Sequence, residues 1–167
     1  KWLFDVDFDE IQVVVQPKSV IHSMVQFTDG AVMAQLGTPD MKLPIQYALY
    51  YPERRPMAGE RLDFWSLKEI AFEAPDLKNF NGLSLAYSAG RAGGSIPTVF
   101  NAANEWAVAR FLKKEIPFLA ITDMIESAMG HHKKIEHPSL DEILETETET
   151  YDWLKSRFEI GKGTGGN

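Results

Sequence analysis

Two runs rich in apolar and β-branched residues, Val20 to Phe27 and Ala31 to Leu36, stand on either side of Thr28-Asp29-Gly30. An Asp-Gly pair supplies the positive φ that a tight connection needs, so this pattern predicts a β-hairpin. Before it, Pro17 in Gln16-Pro17-Lys18-Ser19 removes a backbone donor. After it, Gly37-Thr38-Pro39-Asp40-Met41 interrupts the strand pattern again. Two irregular loops thus flank one rigid hairpin, an arrangement that commonly carries function because paired strands anchor the loops. Upstream, the run IQVVV from Ile11 to Val15 alternates poorly. It fits a strand covered on both faces, pairing with the hairpin in a sheet of at least three strands.

Downstream the period changes. Pro44 precedes IQYALYY, where Ile45, Ala48 and Leu49 recur at helical spacing, and proline in a first helical turn has no donor to lose. From Tyr50 to Asp76 prolines and glycines are scattered among Leu62, Phe64, Trp65, Leu67, Ile70 and Phe72. These are too many apolar groups for a floppy linker, which predicts an extended arm lying on the rest of the protein. Helices are then expected over Leu83 to Arg91, Pro97 to Glu115, Pro117 to Met129 and Ser139 to Phe158. Val99, Ala102, Ala103, Trp106, Ala107, Arg110 and Phe111 form the stripe of the second. Ser139 and Glu142 make a capping box for the last, whose inward residues are expected to be Ile143, Leu144, Tyr151, Trp153, Leu154 and Phe158. Four helices with short turns predict a small bundle. The closing GKGTGGN has nothing apolar to bury and reads as a disordered tail or an expression remnant. The abrupt apolar opening KWLFDVDF has neither an initiating methionine nor a cap. The expectation there is a chain whose upstream residues are missing and whose Lys1 continued a helix.

Composition narrows the class. The chain has 167 residues, 44% hydrophobic and 25% charged, which suits one sizeable core or two small ones. No apolar run approaches the roughly 20 residues that span a bilayer, so no membrane association is expected. The absence of cysteine excludes disulfides and thiolate chemistry and fits a reducing cytoplasm. A net charge of -7 argues against nucleic acid as a partner, since Arg54-Arg55 and Lys133-Lys134 are too small as basic groups.

Several chemical motifs are better explained structurally. GRAGGS at Gly90 to Ser95 lacks a preceding strand and a following Gly-Lys-Ser/Thr, so it reads as a helix-helix turn rather than a phosphate loop. His131, His132 and His137 lie in GHHKKIEH without metal-ligand spacing and read as a solvated turn. Three features remain. His22 lies in the first strand, where alternation puts Val20 and Met24 on its face and Ile21 and Ser23 on the other. It is either a satisfied core histidine or a substrate-side donor. Ser19 closes the proline loop and could bind an oxyanion or a carboxamide. Asn101, Asn104 and Glu105 form a polar patch on the second bundle helix, read as interdomain hydrogen bonding.

PKSVIHSMV, DGAVMAQLGTPDMKLPI, the FWSL and IAFEAPD segments of the arm, and NAANEWAVARFL follow one another in order. Together they resemble the C-terminal part of the 1-deoxy-D-xylulose 5-phosphate reductoisomerase family, from about Lys1 to about Phe158. The resemblance implies conversion of 1-deoxy-D-xylulose 5-phosphate to 2-C-methyl-D-erythritol 4-phosphate, by skeletal rearrangement and NADPH hydride transfer with a divalent metal, Mg or Mn. This is an oxidoreductase and isomerase step of non-mevalonate isoprenoid biosynthesis. It also implies an α+β fold: a partial catalytic-domain sheet with its hairpin, used for dimerisation, over residues 1–50. An extended linker over 51–76 and a small helical bundle over 77–160 follow, then the tail 161–167.

The family's glycine-rich NADPH turn, its Asp-x-Glu metal motif and its Asn-Lys-x-x-x-Glu segment precede the matched region. The resemblance therefore implies no metal ligand in this chain and no turnover by it alone. What it carries over is a supporting wall: His22 on the substrate side, Ser19 near nicotinamide and substrate, and Met41 as a polarizable apolar cover. The implied partners are a sugar-phosphate substrate and a second copy of the chain in a cytoplasmic homodimer. The competing reading is a non-catalytic assembly module that pairs through its hairpin edge.

Overall fold

The computed structural model describes residues 1–158, and the expectation for the GKGTGGN stretch lies outside them. The order of elements is a 3-10 turn Phe8–Glu10, strands β1 (Ile21–Gln26) and β2 (Val32–Leu36), then helices α1 (Lys42–Tyr50), α2 (Phe64–Leu67), α3 (Gly82–Ala92), α4 (Ile96–Leu112), α5 (Ala120–His131) and α6 (Leu140–Phe158). The class is α+β. The chain divides into two compact units, one of Gln12–Pro75 and one of Lys1–Ile11 with the chain from Asp76 onward.

In the hairpin unit β1 and β2 are antiparallel, with Met24 opposite Ala34 and Gln26 opposite Val32. The expected turn chemistry is present. Gly30 has φ +86°, and the Asp29 carboxylate accepts the Ala31 N–H at 2.9 Å. The third strand is not. Among the described residues the sheet has two strands, and Val15 instead forms an isolated bridge with Glu73 of the arm, its N–H donating to the Glu73 carbonyl at 2.9 Å. Val13 and Val15 remain exposed, so IQVVV reflected β propensity without burial. Nor is the arm uniformly extended, since Asp63 caps the short helix α2 by accepting the Trp65 N–H at 2.9 Å. Of its apolar groups Leu67 is buried, whereas Trp65 is 91% exposed.

The other unit is the expected bundle. Leu85, Val99, Ala103, Trp106, Ile121, Ile125 and Leu154 form a continuous core contributed by α3, α4, α5 and α6. Small Ala102, Ala103 and Ala107 are almost wholly buried on α4, a pattern that lets neighbouring helices approach closely. The turn between α3 and α4 is compact, because Gly93 and Gly94 have φ of +66° and +57° and Gly94 lies against the Ile135 carbonyl. Ser139 and Glu142 form the expected capping box, with the Ser139 N–H donating to the Glu142 carboxylate at 2.7 Å. The inward stripe of α6 differs from the expected one. Thr146, Thr150 and Leu154, four residues apart, are buried, while Leu144 and Phe158 are exposed. The Thr150 hydroxyl donates to the Thr146 carbonyl at 2.7 Å, which makes the threonine compatible with burial. Residues 1–11 belong to this unit: Phe8 packs edge-on to Tyr87, whose hydroxyl donates to the Ile11 carbonyl at 2.9 Å.

Candidate functional site

The loop before β1 is held by Gln16. Its carbonyl accepts the Ser19 N–H at 3.0 Å and its side-chain oxygen accepts the Val20 N–H at 2.8 Å. This pins Ser19 at φ +51°, a left-handed conformation unusual for a residue with a Cβ. Backbone held in so sparse a region is characteristic of positions that aim a group. Here the aimed group is the Ser19 carbonyl, which points at the ring of His22.

His22 sits at an irregularity that simple alternation misses. Ile21 pairs with Leu36 and Ser23 with Gln35, so between these pairs β1 carries one more residue than β2. His22 is the extra residue of a β-bulge, and bulges re-aim side chains next to functional sites. The expected common face of Val20, His22 and Met24 is therefore broken: Val20 is buried, whereas His22 and Met24 are exposed. The ring is held at both ends, with Nδ1 at 3.0 Å from the Gln35 side-chain oxygen and Nε2 at 3.1 Å from the Ser19 carbonyl. It is not a core histidine.

Ser19, His22 and Met41 line one cavity of about 470 Å³. Pro39, Leu43 and Pro44 give it apolar walls, and Ser23, Gln35, Thr38 and Asp40 add polar groups. Met41 is 71% exposed at the N-terminal end of α1, where a flexible thioether can close over a bound molecule. An apolar hollow with a few converging polar groups is the usual form of a small-molecule site. Sequence reading named three of its residues and missed Gln35 and Asp40. Gln35 carried no signal except its place in the second strand of the hairpin. Asp40 closes the loop after β2, its carboxylate accepting the Lys42 N–H at 2.9 Å.

The bundle has a separate cavity of about 440 Å³ lined by His131, His132, Glu149 and Trp153 among others. Its histidines are not simply solvated. His131 stacks on Trp153 with ring centroids 4.6 Å apart, and His132 Nε2 lies 2.7 Å from the hydroxyl of wholly buried Ser95. Ser95 also accepts the Ile135 N–H at 2.9 Å. Burial pushes the His132 imidazole below its ordinary range, with Glu149 opposing and His131 adding to the shift. These contacts tie α5, the following turn and the start of α4 together. Two members of the polar patch on α4 are bonded inside their own unit: Asn101 donates to Glu105 at 3.0 Å and the Tyr151 hydroxyl to Glu105 at 3.1 Å. Among the described residues no group of three or more His, Asp or Glu side chains is placed to hold a metal ion.

Residues 36–153 match the family described as DXP reductoisomerase C-terminal domain. The 1-deoxy-D-xylulose 5-phosphate reductoisomerase of Agathobacter rectalis is 62% identical over 158 residues, 95% of this chain and 42% of that protein. The solved structure of the enzyme from Zymomonas mobilis in complex with NADPH superposes with a TM-score of 0.85 at 40% identity, over 94% of this chain and 42% of that one. A DOX-P reductoisomerase in complex with NADPH, fosmidomycin and magnesium gives a TM-score of 0.87 at 36% identity, over 98% of this chain and 42% of that one. The chain thus spans about two fifths of the length of the relatives it matches, their 42%. On the domain match and these identities, the chain belongs to the 1-deoxy-D-xylulose 5-phosphate reductoisomerase family.

Proposed function

We propose that this chain supplies one wall of the active site, and the helical domain, of an NADPH-dependent enzyme converting 1-deoxy-D-xylulose 5-phosphate to 2-C-methyl-D-erythritol 4-phosphate in non-mevalonate isoprenoid biosynthesis. The observation that carries this reading is the convergence of Ser19, His22 and Met41 on one cavity in a chain of this family. In the proposal His22 presents its ring to the polar substrate, Ser19 orients that ring and lines the cofactor side, and Met41 covers the reacting carbon atoms. Their work is positioning: holding reactants in near contact removes much of the entropic barrier to a two-reactant step.

The described residues do not fit a complete cofactor site. A two-stranded antiparallel sheet has no parallel switch point of the kind that seats a dinucleotide, and no carboxylate and imidazole set converges on a metal. NADPH supplies the hydride, and a divalent ion, Mg or Mn, would take its ligands from other groups. Solved relatives in complex with NADPH and with magnesium support this requirement. The enzyme is proposed to work in the cytoplasm as a homodimer paired through the hairpin. The support is the exposure of Val25, Phe27, Val32 and Met33 on its strands and turn, surface that association would remove from water. The same exposure favours the second reading, a purely assembling module.

One purified sample distinguishes them. The chain of 167 residues is expected to show no NADPH oxidation with the sugar phosphate and Mg, and to run as a dimer in gel filtration with light scattering. A complete reductoisomerase carrying this stretch is expected to turn over. Turnover by the chain alone would overturn the division of labour. A strict monomer at high concentration would overturn pairing through the hairpin.

A further inference from the structure

We infer that Gln35 is the positioning residue that fixes the orientation and the proton pattern of His22. The inference rests on the reading of the Ser19–His22–Met41 cavity as a substrate wall. Gln35 faces Ser23 across the ladder, immediately beside the bulge that sets His22 apart. Its amide nitrogen donates to the Leu36 carbonyl at 3.0 Å, which settles which end of the amide faces the imidazole. Only the oxygen is left for His22 Nδ1, at 3.0 Å. A Cβ built on buried Gly37 would lie 3.4 Å from the same amide nitrogen, so glycine there leaves room for this orientation. The partner at the other end of the ring, the Ser19 carbonyl, can only accept.

The Gln35 oxygen therefore favours an N–H on Nδ1, and Gln35 and Ser19 together hold the plane of the ring. His22 therefore meets the cavity as an oriented ring rather than a freely rotating one. Asp40 is the carboxylate lining the same cavity. Gln35 touches the ring and is assigned no contact with reacting atoms.

Nitrogen-15 NMR of the histidine rings in this chain tests the inference without any activity, with His22→Gln identifying the His22 signals. In the unsubstituted chain His22 Nδ1 is expected to report N–H. Gln35→Met, of similar length and with no acceptor, is expected to move the N–H from Nδ1 to Nε2, where the Ser19 carbonyl accepts it. Gln35→Glu, which retains an oxygen, restores the Nδ1 signature. An identical Nδ1 signal in the unsubstituted and Gln35→Met chains would overturn the inference. In a complete reductoisomerase carrying this stretch, Gln35→Met is expected to lower kcat/KM about threefold to tenfold, the loss of one hydrogen bond. It should add little once His22→Gln is present. Fully multiplicative losses would also overturn it. If the NMR pattern holds while His22→Gln leaves kcat/KM unchanged, the substrate-wall reading fails and the Gln35–His22 geometry stands.

Discussion

The helical unit has a continuous apolar core that the hairpin unit lacks, although Trp2, Leu3, Leu112 and Leu140 of the helical unit are exposed as well. In the first, Val99, Ala103, Ala107, Ile125 and Leu154 are almost entirely removed from water, and the polar groups among them are satisfied in place. In the second, Val20 and Leu67 are the buried apolar side chains, while Met24, Val25, Val32 and Met33 stay exposed and polar groups converge on a cavity. A unit with open apolar strands and a strained, hydrogen-bonded loop has the character of a surface made to meet something else.

Truncating one residue in each unit is the strongest way to break this contrast. Leu154→Ala should destabilise the helical unit by about 2–5 kcal/mol, the range for opening a cavity in a closed core. Met33→Ala, at an exposed strand position, should stay within about 0.5 kcal/mol. Thermal melts of the two variants measure both, and equal losses would dissolve the distinction. Gly94→Ala comes next: the added Cβ meets the Ile135 carbonyl at a left-handed φ of +57°, and about 1–3 kcal/mol should be lost. Chemical denaturation followed by helical circular dichroism reads this loss.

A smaller effect is the pH dependence of the helical unit. Burial holds His132 below its ordinary value of 6.5, so the unfolded chain takes up this proton at higher pH than the folded one. Stability from this group is therefore full above that value and falls as pH drops through it toward the folded-state titration. Melts at descending pH should show the loss, and His132→Gln should flatten that part of the profile.

The bundle was largely legible because four helices with a 3.6-residue period, the last opened by a capping box, leave a strong trace. The stripe of α4 and the Ser139 capping box are where the pattern puts them. On α6 hydrophobicity alone misleads, since Thr146 and Thr150 bury by bonding within their helix while Leu144 faces out. IQVVV shows the converse error: its β-branched residues favour extended backbone but do not specify a partner, and Val15 bridges Glu73 rather than the hairpin. At the site, the loops and His22 could be read from turn chemistry and resemblance. The bulge could not, because one extra residue in a ladder leaves no compositional mark, and with it went the part played by Gln35.

The central claim is that the hairpin unit's polar loop serves substrate rather than folding. It is tested most directly by steady-state kinetics and thermal melting of His22→Gln in one preparation of a complete reductoisomerase carrying this stretch. The account predicts kcat/KM lower by about tenfold to a hundredfold, the equivalent of about 1–3 kcal/mol, with a nearly unchanged Tm. An unchanged kcat/KM with a clearly lowered Tm would contradict it.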